Sequence, residues 1–286
     1  MILESKWMIP PESSLSLNDL QGHTALVTGG TQGVGGAIAV SLAKAGANLI
    51  LHGLVEDECA LETIAKCQTF GVRVSTLYSD LTQPIEILLR DVAERAFEIE
   101  PDIDLLVNNA GVFIDLPFSE MSEVLFDRTF HLNVKVGYFL TQYFSKKWIG
   151  TGRSGRVLFT GSINGILAES DHTAYDASKA ALAGMVRSLC VALAPHGIRI
   201  NSMAPGLVRT PLTKQVSRDA DALKWMEMHT PNGLVPEASV CGPIAAFLLS
   251  DHATHIHGQT IYVDGGMSAW QQPDLPKSLR GNLGDS

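Results

Sequence analysis

Apolar positions along the chain follow two alternating rhythms. Short apolar runs, the pattern of buried strands, occur at Thr24–Thr28, Asn48–His52, Val72–Tyr78, Asp104–Asn108, Arg156–Thr160, Ile198–Met203 and Thr260–Val263. Between them the apolar spacing lengthens to about three or four residues, which predicts helices. Those helices fall over Val34–Ala45, Asp57–Phe70, Ile85–Glu98, Glu120–Trp148, Ala174–Ala194 and Ser239–Leu249. Strands separated by helices can run parallel, because each crossover returns the chain to the same edge. The expected fold is therefore α/β, a parallel sheet with helices on both faces. No linker or internal repeat interrupts residues 22–270, so one domain is expected there. The first 21 residues, with Pro10-Pro11 and several serines, read as an N-terminal extension; residues 271–286, again rich in proline, glycine and polar side chains, read as a C-terminal tail.

Composition narrows the function. The 286 residues are 45% hydrophobic and 18% charged, enough to build a sizeable core. The formal net charge is -9 and no dense basic run occurs. Nucleic acid and anionic membranes are thus not the expected partners. Cys59, Cys67, Cys190 and Cys241 form no C-x-x-C pair and no zinc-type cluster, so reduced thiols in a cytoplasmic protein are expected, with no metal. The N-terminus lacks the basic start and apolar run of a signal peptide. The best membrane candidate, Ala180–Ala194, falls short of the ~18 apolar residues a span requires and is interrupted by Arg187.

Two motifs carry chemistry. The first strand runs into Thr28-Gly29-Gly30-Thr31-Gln32-Gly33-Val34-Gly35 and then a helix. Glycines let backbone approach a ligand closely, and the helix start turns its amides toward an anion, a setting suited to a pyrophosphate. The spacing is G-x-x-x-G-x-G rather than G-x-G-x-x-G. Further on, Tyr175 and Lys179 stand four apart at the start of a long helix and share a face. A nearby ammonium favours the phenolate, so the pair predicts a phenol lowered from about 10 that exchanges a proton with an alcohol.

With these motifs in place the chain resembles the short-chain dehydrogenase/reductase family, from about His23 to Met267. The glycine loop fits T-G-x-x-x-G-x-G; Asn108-Asn109-Ala110-Gly111 fits N-N-A-G; Asp264-Gly265-Gly266 fits D-G-G. Asn133, Ser162, Tyr175 and Lys179 stand where the family has its active-site set. The resemblance implies a single Rossmann-type doubly wound domain with strand order 3-2-1-4-5-6-7, and hydride transfer between NAD or NADP and an alcohol or carbonyl compound. It implies Tyr175 as general acid and base, Ser162 on the substrate oxygen, Lys179 on the nicotinamide ribose, and Asn133 positioning a water. It also implies dinucleotide contacts from Gly29, Thr31, Gln32, Gly33, Val34 and Gly35, from Asp80 and Leu81 beside the adenine, from Asn109, Ala110 and Gly111, and from Tyr175 and Lys179. Pro205, Gly206, Val208 and Thr210 would hold the carboxamide. A homotetramer, or a dimer, is implied through helices 120–148 and 174–194 and the last strand.

The positions that choose between NAD and NADP depart from both family patterns. Gly53, Leu54 and Gln32 supply neither an acid nor a base, while Glu56 and Asp57 lie close by and would repel a 2′-phosphate, which favours NAD. No carboxylate-clamping arginine stands among Asn164, Ile166 and Phe113–Phe118, the positions expected to border the substrate, which favours a small neutral alcohol. Residues 207–237 are expected to cover the substrate, with Trp225, Met226 and Met228 lining the lid or packing in the core. The alternative function is a cofactor-binding regulator or scaffold without turnover, against which the intact tetrad argues. A hydrolase built on Ser170, Asp171 and His172 is disfavoured, because triad members come from separate segments and no G-x-S-x-G is present. His252, His255 and His257 read as structural or surface residues.

Overall fold

The computed structural model describes residues 19–210 and 219–270. The expected tail at 271–286 and most of the expected extension lie outside the described residues. The strands are β1 (Thr24–Val27), β2 (Asn48–Gly53), β3 (Val74–Tyr78), β4 (Leu105–Asn108), β5 (Gly155–Thr160), β6 (Ile198–Pro205) and β7 (Thr260–Val263). They form one all-parallel sheet of order β3-β2-β1-β4-β5-β6-β7. The direction of strand addition reverses between β1 and β4, and the crevice at their carboxyl ends is where such a sheet takes its ligand.

Among the described residues, six helices cover the sheet. They are α1 (Gly33–Lys44), α2 (Glu58–Gln68), α3 (residues 85–99), α4 (residues 123–151), α5 (Thr173–Leu193) and α7 (Cys241–Leu249); a shorter helix, α6 (Ala220–Met228), precedes α7. Both α3 and α4 contain a π-helical turn, at Leu89–Glu94 and His131–Lys135. Alternation along the strands splits the core in two. Ala25, Val27, Leu49, Leu51, Leu105 and Val107 face α1 and α7, with Ile38, Leu42, Ala245 and Leu248. Leu26, Ile50, Leu106, Val157 and Phe159 face the other layer, with Phe144, Trp148, Leu182 and Val186. Trp148 is fully buried, donates from Nε1 to Ile103 O at 2.8 Å, and lies so close to Gly155 that a Cβ there would meet its ring at 2.1 Å.

Three sequence expectations change. The packed structure begins before residue 22: Leu20 is fully buried and Asp19 pairs with His252 at 3.2 Å. β6 continues past Met203 to Pro205, because Ser202–Pro205 pair with all of β7. By length and composition alone, the helical span 173–196 is long and apolar enough to cross a membrane, contrary to the reading of its sequence. One side of it packs on the sheet and carries Tyr175 and Lys179. The helix at 220–228 has no counterpart in the sequence reading. Asp219 starts it by accepting from the amides of Asp221 and Ala222.

Candidate functional site

The glycine loop lies over the carboxyl end of β1. Gly29 and Gly33 adopt φ of 59° and 57°, the left-handed region that glycine enters without strain. Thr28 and Asn109 hold the loop from below. Thr28 Oγ1 donates to Val107 O and accepts from the amides of Asn109 and Ala110 at 3.0 and 3.1 Å. Asn109 Nδ2 donates to the carbonyls of Thr28 and Gly29 at 3.0 and 3.1 Å, while its Oδ1 accepts from Thr160 Oγ1. The start of α1 has no side-chain cap and no acid in its first turn, whereas neighbouring α2 is capped by Asp57 at 2.8 Å. An uncapped helix start above two left-handed glycines can receive an anion. Thr31 is buried and turned toward Gly53, and Gln32 is exposed.

His52, which the sequence reading did not single out, backs this loop. Burial pushes its pKa down to about 4, so the ring is neutral. Nδ1 accepts from the Gly29 amide at 3.4 Å, and Nε2 faces the Ser79 carbonyl and hydroxyl, both at 3.1 Å.

One strand further, β5 and α5 bring Ser162, Tyr175 and Lys179 together. Lys179 is buried with its Nζ 5.6 Å from the Tyr175 ring centroid and donating to Thr160 O at 3.0 Å. Burial pushes its pKa down to about 8. Tyr175 departs from the expected lowering: burial holds the phenol above its usual 10.0 and outweighs the hydrogen bond from Ser162, while Asp176 and Glu169 raise it further. Ser162 follows β5 and accepts from the Asn164 amide at 3.1 Å. Phe113 packs edge-on against both Tyr175 and His172, with centroids at 5.0 and 4.6 Å.

Asn133 sits in the π-helical turn of α4, buried. Its Oδ1 accepts from the Val112 amide at 2.8 Å; its Nδ2 donates to Val112 O at 3.0 Å and Ser178 Oγ at 2.9 Å. Asn133, Lys179, Thr160 and Asn108 border a cavity of about 10 Å³, room for a single water. Asn108 Oδ1, buried beside it, has no protein hydrogen-bond partner.

The remaining predicted positions are spread along the same crevice. Asp80 lines a cavity of about 910 Å³ with Leu54, Thr82, Phe130, His131 and Val134, its carboxyl held below the usual range by the Thr82 amide at 2.8 Å. Leu81 turns its side chain into the core and offers only its carbonyl, which pairs with His131 Nε2 at 3.0 Å. Gly111 abuts Asn133, where a Cβ would meet Oδ1 at 2.8 Å. Pro205 ends β6, and Gly206 packs against Asp264, which in turn accepts from the amides of Gly266 and Ser268. Val208 is buried and Thr210 lies at the edge of the described residues. In the segment expected to cover the substrate, Met226 is buried while Trp225 and Met228 are exposed. His257 Nε2 lies 3.1 Å from Thr254 O, and among the described residues no three metal-binding side chains gather. Sequence reasoning missed Thr160, Ser178 and Asp176; only Asp176, adjacent to Tyr175, left a signal there.

Comparison with known proteins bears on the fold and the family. The family model described as enoyl-(acyl carrier protein) reductase, of the short-chain alcohol dehydrogenase type, matches residues 29–268. An L-rhamnose 1-dehydrogenase (NADP(+)) of Thermoplasma acidophilum is 34% identical over 87% of this chain and 97% of its own length. An L-rhamnose 1-dehydrogenase (NAD(P)(+)) of a Sphingomonas species is 32% identical over 87% and 97%. A solved structure from Agrobacterium tumefaciens, assigned as a 2-deoxy-D-gluconate 3-dehydrogenase with bound NADP, superposes with a TM-score of 0.82 at 32% identity, covering 90% of this chain and all of that one. The family match, the identities over most of both chains and the shared seven-stranded sheet lead to one conclusion: the chain belongs to the short-chain dehydrogenase/reductase family, NAD(P)-dependent oxidoreductases acting on CH–OH groups.

Proposed function

We propose that the protein interconverts a small neutral polyol of the sugar type and its carbonyl form, with NAD as the favoured dinucleotide. The observation that carries this reading is the charge of the wall around Tyr175. The Asp176 and Glu169 carboxylates act on the phenol, and Asp115 stands beyond Phe113, with His172 between Glu169 at 3.3 Å and Asp115 at 3.7 Å. An acidic wall repels a carboxylate substrate and offers acceptors to hydroxyl groups. The rhamnose dehydrogenases among the relatives act, by their names, on such a neutral sugar.

The glycine loop and uncapped α1 fit the pyrophosphate of a dinucleotide, and the cavity at Asp80 and Leu54 fits its adenosine end. When bound, the nicotinamide accepts or supplies the hydride. Tyr175 takes the hydroxyl proton in oxidation and returns it in reduction, and Ser162 holds the reacting oxygen. Lys179, beside Thr160, turns to the ribose hydroxyls and adds positive charge near the phenol. Asn133 holds the wall of the water-sized cavity through which a proton leaves Lys179. A carboxylate cannot replace Gly53 without displacing Thr31, whose Cγ2 would lie 2.8 Å from the new Cβ. Glu56 and Asp57, both acidic and near Tyr78, disfavour a 2′-phosphate and carry the preference for NAD.

A panel of L-rhamnose, other neutral sugars and the corresponding sugar acids, followed by nicotinamide absorbance with NAD and NADP, tests both halves. Neutral sugars should give the higher kcat/KM, and NAD the lower KM. Preference for a sugar acid, or a strong NADP preference, overturns the respective half.

A homotetramer in the cytoplasm belongs to the same proposal. α4 exposes Val124, Phe126, Tyr138 and Ile149, α5 exposes Val191, and β7 is an edge strand of half-buried residues. The four cysteines are free. Light scattering behind size exclusion should give about four times the 30.7 kDa chain. A monomer would remove the interface.

A further inference from the structure

Ser162 and Tyr175 come from different segments, the end of β5 and the first turn of α5, so something must fix the separation of their oxygens. The buried amide of Asn164 does this on one side. Its backbone amide donates to Ser162 Oγ at 3.1 Å, and Ser162 Oγ donates to Asn164 Oδ1 at 3.2 Å. The other end of the amide is committed: Nδ2 donates to Asp176 Oδ1 at 2.8 Å, and more weakly to Glu169 Oε1 at 3.4 Å. A flipped amide would set its oxygen against a carboxylate, so the carboxylate fixes which end meets Ser162. Asp176 Oδ2 accepts from the Glu169 amide at 3.0 Å and ties down the loop before α5. Asp176 follows Tyr175 directly, so this chain of bonds moves with the tyrosine.

We propose that Asp176 and Asn164 are positioning residues that hold the Ser162 hydroxyl at a set distance and direction from Tyr175. Asp176 fixes the amide of Asn164, and Asn164 fixes Ser162; neither is required to touch the substrate. The inference rests on the proposed role of Ser162 and Tyr175 in alcohol oxidation.

The test is a double-mutant cycle on the full-length protein, with L-rhamnose or the best neutral sugar of the panel. Asn164→Ala and Asp176→Asn should each lower kcat by about tenfold to a hundredfold, the loss expected from displacing a reacting group by about 1 Å. Dinucleotide affinity should stay within about twofold, which also reports intact folding. In a Ser162→Ala background, Asn164→Ala should cost no more than about twofold further. Additive losses in that background would overturn the proposal.

A readout without substrate runs beside it. The alkaline absorbance titration of Tyr175, taken as the signal lost in Tyr175→Phe, should move up in Asn164→Ala, because the Ser162 hydroxyl whose hydrogen bond holds the phenol down loses its support. The shift should be smaller when Asn164→Ala is made on Ser162→Ala, where only the freeing of Asp176 and Glu169 remains; an equal shift in both backgrounds overturns the inference. The groups facing this phenol are Lys179 and Asp176 on α5, Glu169 and Ser162 from the β5 side, and His172 with its partner Asp115 behind Phe113. Asn164→Ala keeps every one of these residues but frees the Asp176 and Glu169 carboxylates from the amide, a change that the Ser162→Ala background measures by itself. An unmoved midpoint overturns the inference even if no sugar in the panel is turned over, an outcome that would instead count against the proposed substrate.

Discussion

Tyr175→Phe is expected to leave a folded protein with unchanged dinucleotide affinity and turnover lowered by about a hundredfold to ten-thousandfold, the range a positioned proton donor supplies. The substitution removes one oxygen and keeps the ring, so Phe113 retains its edge-on partner and α5 keeps its first turn. Ser162 and Lys179 converge on the phenol. Its pH behaviour follows from its environment. Burial and the nearby carboxylates of Asp176 and Glu169 raise the phenol, so oxidation, which needs the phenolate, should climb with pH. Reduction needs the protonated phenol and should fall only above the same midpoint. Steady-state kinetics in both directions, with dinucleotide binding followed by fluorescence, check this; turnover within about tenfold of the parent would take Tyr175 out of the mechanism.

Gly35→Ala should be the most damaging methyl insertion at the cofactor end. Its Cβ would lie 2.1 Å from Gly29 O and 2.3 Å from Asn109 Nδ2. Neither neighbour can retreat cheaply. Gly29 is held at positive φ, and the Asn109 side chain already bridges Thr28, Gly29 and Thr160. Relief requires the loop to lift from Asn109, breaking both of its hydrogen bonds there. Overpacking of this kind costs about 1–3 kcal/mol, so thermal unfolding should move down by several degrees. Dinucleotide affinity should fall by about tenfold or more, because the displaced amides are those offered to the pyrophosphate. An unchanged dissociation constant would separate the loop from cofactor binding.

The layout of the fold was legible because each strand and helix carries its own periodicity, and the glycine loop and Tyr175–Lys179 are local spacings. The strand order came from the family resemblance rather than from periodicity. What the sequence did not yield depends on contacts between distant segments. Thr160 holds Lys179 through a backbone carbonyl, which any residue supplies, and its hydroxyl finds Asn109 only once β4 and β5 pair. Asn164 and Asp176 meet only after β5 and α5 pack, and His52 looks like an ordinary strand residue until burial and the Gly29 amide give it a role. The phenol was misjudged because charge spacing is visible in a sequence while the depth of burial is not.

The π-helical turn at His131–Lys135 has a consequence for anyone tracing faces along α4. A wide turn takes in one residue more than a regular one, which advances the phase of everything beyond it by about 100°. Positions 123–130 and 136–151 therefore obey two separate helical wheels, and a single wheel drawn through both would point Asn133 or Trp148 the wrong way. Insertions or deletions of one residue in that stretch are thus not neutral changes of length: they swap which stripe of the rod looks at the crevice.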